Sequence, residues 1–483
     1  LKYASGRWRG KHQIMDPATI AAIATPGGRG SIGIIKMSGP DAAKIAAGIF
    51  NEPGLAAKRP KPGMVSHRFE SHRFNYGYIF DPDQQRRVDE VLMVYMAAPR
   101  TYTREDVVEI HAHGGPVVLR RILELVLRRG ARLAEPGEFT RRAFLNGRID
   151  LTQAEAVCDL IYAETDSLLH AATHHVQGQL RNEVDSIRQQ LIELQTRVEA
   201  AIDFPEDVEE VLDVSAWTRR VEQKVLAPLG RLIQFHRDAG VIREGLRLAV
   251  VGRPNVGKSS LLNRLLKKER VIVTATPGTT RDVIEESLSI QGIPIRVADT
   301  AGLHTTQDPL EKMGVDKTLE HIAGSDGVLF MVEAQQAPGP ADEEIYRRIR
   351  EKPLVVTVNK IDLVHGDPFQ KIPPHWRQHP RAAISALSGE GIEELMDQMG
   401  KICLGDVTDD FQTDIIPNVR HRCLLEQGLQ ASRAVLEGLQ AQRPVELISI
   451  HLREGIDALG EVLGVGARAD ILENIFSRFC IGK

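Results

Sequence analysis

Residues 246–268 read LRLAVVGRPNVGKSSLLNRLLKK: an apolar run, a turn bearing two glycines, and a helix-forming stretch, in that order. The turn Gly252-Arg-Pro-Asn-Val-Gly257-Lys258-Ser259 fits GxxxxGK[ST]. Glycine lets backbone N–H groups approach phosphate oxygens. Lys258 supplies a point charge to the β and γ oxygens, and the Ser259 hydroxyl suits Mg²⁺. The pattern alone arises by chance or serves ATP, so its reading rests on the residues downstream of it.

Four further elements succeed it in order. Thr279 and Thr280 lie in a glycine-containing loop, where Thr280 is placed as a second Mg²⁺ ligand near a γ-phosphate. Asp299-Thr300-Ala301-Gly302 ends an apolar run, the place for a water-linked Mg²⁺ carboxylate and a phosphate-sensing N–H. Asn359-Lys360-Ile-Asp362 ends the run PLVVTV, and the Asp362 carboxylate can accept both N1–H and the 2-amino group of guanine, which adenine does not offer. Ser385-Ala386-Leu387 ends the next run and backs the base. Together they predict a GTP site made of Asn255, Val256, Gly257, Lys258, Ser259 and Ser260, the loop Thr274-Ala275-Thr276-Pro277-Gly278-Thr279-Thr280, and the three later clusters. One position departs from the common pattern. Leu303 follows Gly302 where Ras-type switches carry a water-orienting Gln, so another residue and another positive charge must complete the site.

Outward from this segment, the runs LRLAVVG, IRVADTAG, GVLFMVEA, PLVVTVNK and RAAISAL alternate with helical stretches, which predicts a doubly wound parallel sheet. Upstream, TIAAIAT, SIGIIKMSG, VDEVLMVYMAAP and EDVVEIHAHGG read as strands, with a helix from Pro116 to Arg129. After Glu138 the texture turns helical. Leu180, Val184, Ile187, Leu191, Leu194, Val198 and Ile202 recur at steps of three or four, a single apolar stripe that stops at Asp203-Phe204-Pro205. Helix returns from Ile416. The plan is multidomain, α+β and α/β: a 1–14 extension, an α+β domain over 15–137, a helical domain in two parts over 138–244 and 404–483, and a P-loop domain inserted over 245–403. The two helical parts are expected to pack on each other.

A chain of 483 residues needs several cores, and 42% hydrophobic with 26% charged residues is a globular composition. The net charge of -4 excludes wholesale adhesion to nucleic acid, though not a local basic patch. No apolar run reaches the roughly 18 residues that span a bilayer, so no membrane association is expected. Cys158, Cys403, Cys423 and Cys480 are scattered without a CxxC pair, which suits a reducing cytosol. The first fourteen residues carry Lys2, Arg7, Arg9 and Lys11 without an apolar core, so a secretory signal is not expected and Met15 reads as a start.

These motifs resemble one family, the bacterial and mitochondrial tRNA-modification GTPases that act on the wobble uridine. The resemblance runs from Met15 onward and rests on ATPGGRGSIGIIKMSGP, EIHAHGGPVV, PGEFTRRAFLNGRIDLTQAEAV, the DFPED stretch, TPGTTRD within the nucleotide set, and the terminal FCIGK. It implies an N-terminal domain that forms a homodimer and binds a tetrahydrofolate derivative (5-formyl or 5,10-methylene), a helical domain, and an inserted Ras-like GTPase domain. It also implies work with an FAD-binding partner protein, the flavin lying on that partner, to place an aminomethyl or carboxymethylaminomethyl group on C5 of a tRNA wobble uridine. GTP would be hydrolysed to GDP with K⁺ in place of an arginine finger. The resemblance assigns K⁺ to Asn255, Thr274, Thr276 and Thr279, and water orientation to Glu311 in the Glu311-Lys-Met-Gly314 context; Lys258 and Thr280 complete the catalytic set.

For folate, the resemblance points to Lys36, Glu109, Arg148 and Lys483. Lys36 stands where Arg is common and Arg148 where Lys is common. For Cys480 two readings stay open: a nucleophile toward uracil C6 or a one-carbon unit, and a plain thiol beside Phe479. Gly28-Arg-Gly30-Ser-Ile-Gly33 satisfies the dinucleotide fingerprint GxGxxG, but IGIIKMSG follows it and reads as strand, so no helix N-terminus awaits a pyrophosphate. His111 and His113 lie at strand spacing without a third ligand, which favours packing or folate contact over a metal. The alternative function is a regulatory RNA- or ribosome-binding GTPase switch without covalent chemistry, which has no need of the PGEFT…FLNG string or the CIGK terminus.

Overall fold

A strand pattern with one covered face dominates the N-terminal third. The computed structural model describes residues 18–53, 69–204, 213–269, 286–290, 293–299, 322, 324–404 and 415–483. The chain divides into two compact units: the first holds Leu1–Cys158, Arg181–Val221 and Gln430–Lys483, the second Asp159–Leu180 and Glu222–Leu429.

In the first unit, seven strands form one sheet: β1 (Ile20–Ile23), β2 (Ile32–Ser38), β3 (Phe50–Asn51), β4 (Arg73–Asp81), β5 (Arg86–Met96), β6 (Val107–His113) and β7 (Arg132–Leu133). Their order is β3-β4-β5-β6-β2-β1-β7. Neighbours run antiparallel except β1 and β7, which are parallel. Side chains alternate between faces, so Ile35, Met37, Met93 and Ile110 enter a core with Leu119, Ile122, Leu125 and Val126 of the helix Pro116–Arg128. Gly33 belongs to this packing: a Cβ there would lie 2.5 Å from Leu119 Cδ1. The third glycine of the GxGxxG pattern thus admits a helix against the sheet, and β2 follows where the fingerprint requires a helix.

The stripe on the helix Gln179–Asp203 is buried throughout from Leu180 to Val198. It packs against the helix Val445–Val462, where Gly455 would bring a Cβ within 3.2 Å of Leu191 Cδ1. Arg188 donates to the carbonyl of Ile456 at 3.3 Å, and Gln195 to Ser449 Oγ at 3.0 Å.

The second unit is built on a six-stranded sheet ordered β13-β12-β11-β8-β10-β9. Its strands are β8 (Leu246–Val251), β9 (Glu286–Ile290), β10 (Ile293–Asp299), β11 (Gly327–Glu333), β12 (Leu354–Asn359) and β13 (Arg381–Ile384). Five are parallel; β9 is antiparallel to β10, with Ile290 opposite Ile293. The five strands expected from the sequence are the parallel ones, and β9 adds an antiparallel edge that was not read there, because ESLSI is too short and polar to announce a strand by itself. Because a parallel sheet is covered on both faces, β12 is buried along its whole length. Leu329 and Met331 enter one core with Leu261 and Leu265, whereas Val328, Phe330 and Val332 enter the other with Tyr346 and Trp376.

Candidate functional site

The two predicted sites fall in different units. In the second unit, the turn after β8 wraps back and the helix Lys258–Glu269 begins. Asn255 and Gly257 both have positive φ, 63° and 98°. At Gly257 a Cβ would sit 2.2 Å from Asn359 Nδ2, so only glycine fits. Lys258 folds over its own loop, its ammonium donating to the carbonyls of Gly252 (2.8 Å) and Arg253 (3.0 Å). Ser259 and Ser260 are exposed at the helix start.

Asn359 ends β12, is only 2% exposed, and joins three elements. Its Nδ2 donates to the carbonyl of Val256 at 2.7 Å, and its Oδ1 accepts the Ala386 N–H at 3.0 Å. Lys360 takes a left-handed conformation and pairs with Glu333. Asp362 is exposed within the short turn Ile361–Leu363, which leaves its carboxylate available to a base. Ser385 is buried and its Oγ accepts the Ser388 N–H at 3.1 Å, closing the loop that carries Ala386 and the 81%-exposed Leu387. These residues border an open cleft of 480 Å³, lined by Gly257, Ser260, Asn263, Arg264, Asn359, Lys360, Asp362, Leu363, Ala386 and Leu387. The volume is that of a small-molecule site, and it opens at the carboxyl ends of parallel strands, where such sheets bind ligands.

Asp299 ends β10 beside Val250 in register, which brings its backbone to the same edge. Thr274, Ala275, Thr276, Pro277, Gly278, Thr279, Thr280, Thr300, Ala301, Gly302 and Glu311 lie outside the described residues, as does the Asp299 side chain. Motif reading missed Arg264, whose guanidinium donates to the carbonyls of Ala386 (3.3 Å) and Leu387. Its signal was spacing. Gly257, Ser260 and Arg264 lie at helical intervals and share the face turned to the cleft.

In the first unit, Lys36, Glu109, Arg148 and Lys483 converge. Lys36 and Glu109 are opposite each other in the β2–β6 register, with Nζ 3.8 Å from Oε1. Burial lowers the Lys36 pKa; Glu109 opposes this, and the charges of Lys483 and Arg148 add to it. The Lys36 ammonium stands 5.1 Å from the Tyr102 ring centre and 5.2 Å from that of Phe139. Arg148 donates to the carbonyl of Thr101 at 2.7 Å and lies 5.4 Å from the Tyr102 ring centre. The Phe139 N–H donates to the carbonyl of Lys483 at 3.1 Å. Tyr102 and Phe139 were not anticipated as site residues: Tyr102 stands in no recognised pattern, and Phe139 lies in the PGEFT string without having been given a role there.

Glu138, next to Phe139, is 6% exposed. Burial pushes its carboxyl pKa up, but hydrogen bonds from Arg132, the Glu135 N–H and Arg142 outweigh this and hold it below the ordinary value. His113 pairs with Asp89 at 2.8 Å and His111 packs edge-on to Phe74. Among the described residues no cluster of three metal-binding side chains occurs. Cys480 is exposed, whereas Phe479 is buried among Leu472 and Phe476. Among the described residues no helix is long and apolar enough to cross a membrane.

Comparison with known proteins matches most of the chain to described families. The family described as MnmE helical domain matches residues 151–480, and that described as GTP-binding protein TrmE N-terminus matches residues 19–148. The chain is 45% identical over 466 residues to the tRNA modification GTPase MnmE of Geobacter sulfurreducens, covering 96% of this chain and 99% of that one. It is 44% identical over 469 residues to the protein of the same description from Moorella thermoacetica, with 96% and 99% covered. Among solved structures, Era in complex with MgGDPNP and a segment of 16S ribosomal RNA is 31% identical over 38% of this chain and 66% of that one, with a TM-score of 0.28.

Proposed function

The chain belongs to the MnmE family of tRNA-modification GTPases and is itself a tRNA-modifying GTPase, and from that premise we propose how its two sites divide the work. The cleft of the second unit binds guanine nucleotide, with Asp362 reading the base, Lys258 facing the phosphates, and Arg264 and Asn359 holding the base loop. Ser259 and Thr280 would hold Mg²⁺, and Asn255 with Thr274, Thr276 and Thr279 would hold K⁺; Ser259 and Asn255 offer exposed oxygens, the donor type that hard cations take. Held by these residues, such cations would supply neutralisation of charge on the phosphate oxygens. Glu311 orients the attacking water, replacing the Gln absent at Leu303.

The pocket of the first unit takes a tetrahydrofolate derivative. Lys36, Arg148 and Lys483 set three cations against one carboxylate, Glu109, beside the rings of Tyr102 and Phe139. That excess charge fits an anionic tail, the ring faces fit a heteroaromatic body, and Glu109 can accept from the pterin's donor edge. When bound, the folate supplies a one-carbon unit. This convergence of four residues from separate parts of the chain is the observation that carries the proposal. A switch without covalent chemistry gives the pocket no role.

Ile32, Phe74, Tyr76 and Leu92 are exposed by 64%, 59%, 47% and 45%. The strand register places them on the sheet face that carries Lys36 and Glu109. An apolar face of this kind supports a homodimer formed through the N-terminal domain. An FAD-binding partner and a tRNA wobble uridine complete the reaction, which runs in the cytosol.

The test is titration of 5-formyl-tetrahydrofolate alongside GTP turnover, for wild type and for a variant lacking Lys483. Loss of folate binding with GTP turnover retained supports the division of labour; equal loss of both refutes it. Turnover at fixed Mg²⁺ should also fall sharply when Na⁺ replaces K⁺. A slow rate indifferent to the cation would remove Asn255 and Glu311 from their assigned roles.

A further inference from the structure

The phosphate loop is tethered by a side chain that lies in none of the nucleotide motifs. Asp342, in the first turn of the helix Pro340–Ile349, is 0% exposed. One carboxylate oxygen accepts the Gly339 N–H at 2.8 Å, and the other accepts Arg253 Nε at 2.8 Å. Arg253 belongs to the loop itself, and its main-chain carbonyl accepts from the Lys258 ammonium, as does that of Gly252. Lysine is a point charge on a flexible four-carbon stem, so its direction is set by what its protons are given to. Fixing the Arg253 carbonyl therefore fixes part of the cradle that aims Lys258. A guanidinium tied to a fully buried carboxylate is a strong tether, because such a bond is charge-assisted and its acceptor is out of reach of water.

We propose that Asp342 is a positioning residue for the nucleotide phosphates, acting through Arg253 on Lys258. The inference rests on the reading of the cleft as a guanine-nucleotide site. Its rival is a purely local role, in which Asp342 only caps its own helix through Gly339. The two differ in where the effect is felt, since capping governs stability and tethering governs nucleotide affinity.

The experiment uses the full chain and measures GDP affinity in the presence of Mg²⁺, with the melting temperature, for Asp342→Asn, Arg253→Gln and the double variant. Each single change should raise the Kd for GDP by about tenfold, the scale of one charge-assisted hydrogen bond. The double variant should bind no more weakly than either single one, because both changes cut the same tether. Arg253→Gln leaves the Gly339 contact intact, so it reports on the tether even where Asp342→Asn fails to fold. A wild-type Kd in folded Arg253→Gln overturns the inference. So does a double variant weakened by about a hundredfold, which would make the two side chains independent. Wild-type protein that does not bind GDP would overturn the nucleotide reading itself, a result distinct from either of these.

Discussion

Replacing Asn359 by alanine should destabilise the second unit before any nucleotide is bound. The side chain is buried, and its two polar atoms satisfy the Val256 carbonyl at 2.7 Å and the Ala386 N–H at 3.0 Å. Alanine removes both partners and leaves one acceptor and one donor unpaired next to the cleft. Each orphaned buried group costs about 1–3 kcal/mol, so the pair costs about 2–6 kcal/mol. For a unit of this size each kcal/mol moves the melting temperature by roughly 2–4 °C, giving a fall of about 4–24 °C. Differential scanning calorimetry of the full chain without nucleotide is the assay, with the transition of the second unit recognised by its upward shift on adding GDP. A GDP-responsive transition in Asn359→Ala within about 2 °C of wild type would refute the reasoning, because it would mean that the three elements hold their places without the bridge.

Three more outcomes are expected. Asp362→Asn exchanges a carboxylate oxygen for a donor at an exposed position, so guanine binding should weaken by at least about tenfold and xanthine, with an acceptor at position 2, should gain; competition between GDP and XDP decides it, and unchanged preference would remove Asp362 from the base site. Gly257→Ala should abolish nucleotide binding, since its Cβ would fall 2.2 Å from Asn359 Nδ2 at a φ of +98°; retained GDP affinity would show that the loop has room to shift. Glu138→Gln should cost the first unit about 3 kcal/mol at neutral pH by leaving Arg142 and Arg132 without their buried carboxylate. Because the folded carboxyl titrates below its ordinary value, its contribution is complete above that ordinary value and is lost as pH falls through the lowered one. Chemical denaturation across pH should therefore show the gap between wild type and variant closing in acid, and a gap independent of pH would refute the assignment.

Much of the architecture is legible in residue order alone. The helical stripe from Leu180 to Val198 and the buried run of β12 announce themselves because periodicity is a local property. Where local signal was weak, reading failed. β9 is a short polar strand whose place depends on β10, and β4 was missed although Phe74, Tyr76, Tyr78 and Phe80 recur at period two, because these side chains lie on the exposed or half-buried face and Gly77 interrupts the other. The GxGxxG pattern at Gly28–Gly33 shows the opposite hazard, a strong local signal whose meaning was set by the strand after it and by Leu119 across the core.

The sequence by itself determined the nucleotide chemistry, because each motif is contiguous and its residues sit on one turn or one strand end. Gly257, Lys258 and Ser259 need no distant partner to be recognised. Only the tertiary structure decided what holds those motifs in place. Asn359 reaches Val256 across 103 residues, and Arg253 reaches Asp342 across 89. The convergence of Lys36, Glu109, Arg148 and Lys483 likewise depends on strand register and on the return of the chain's last residues to Phe139. A slip of one residue in β2 would turn Lys36 into the apolar core, so the cluster forms only because the sheet pairs as it does. Chemistry is written in residue type and spacing; hydrogen-bond partners are chosen by which distant segments the fold brings together.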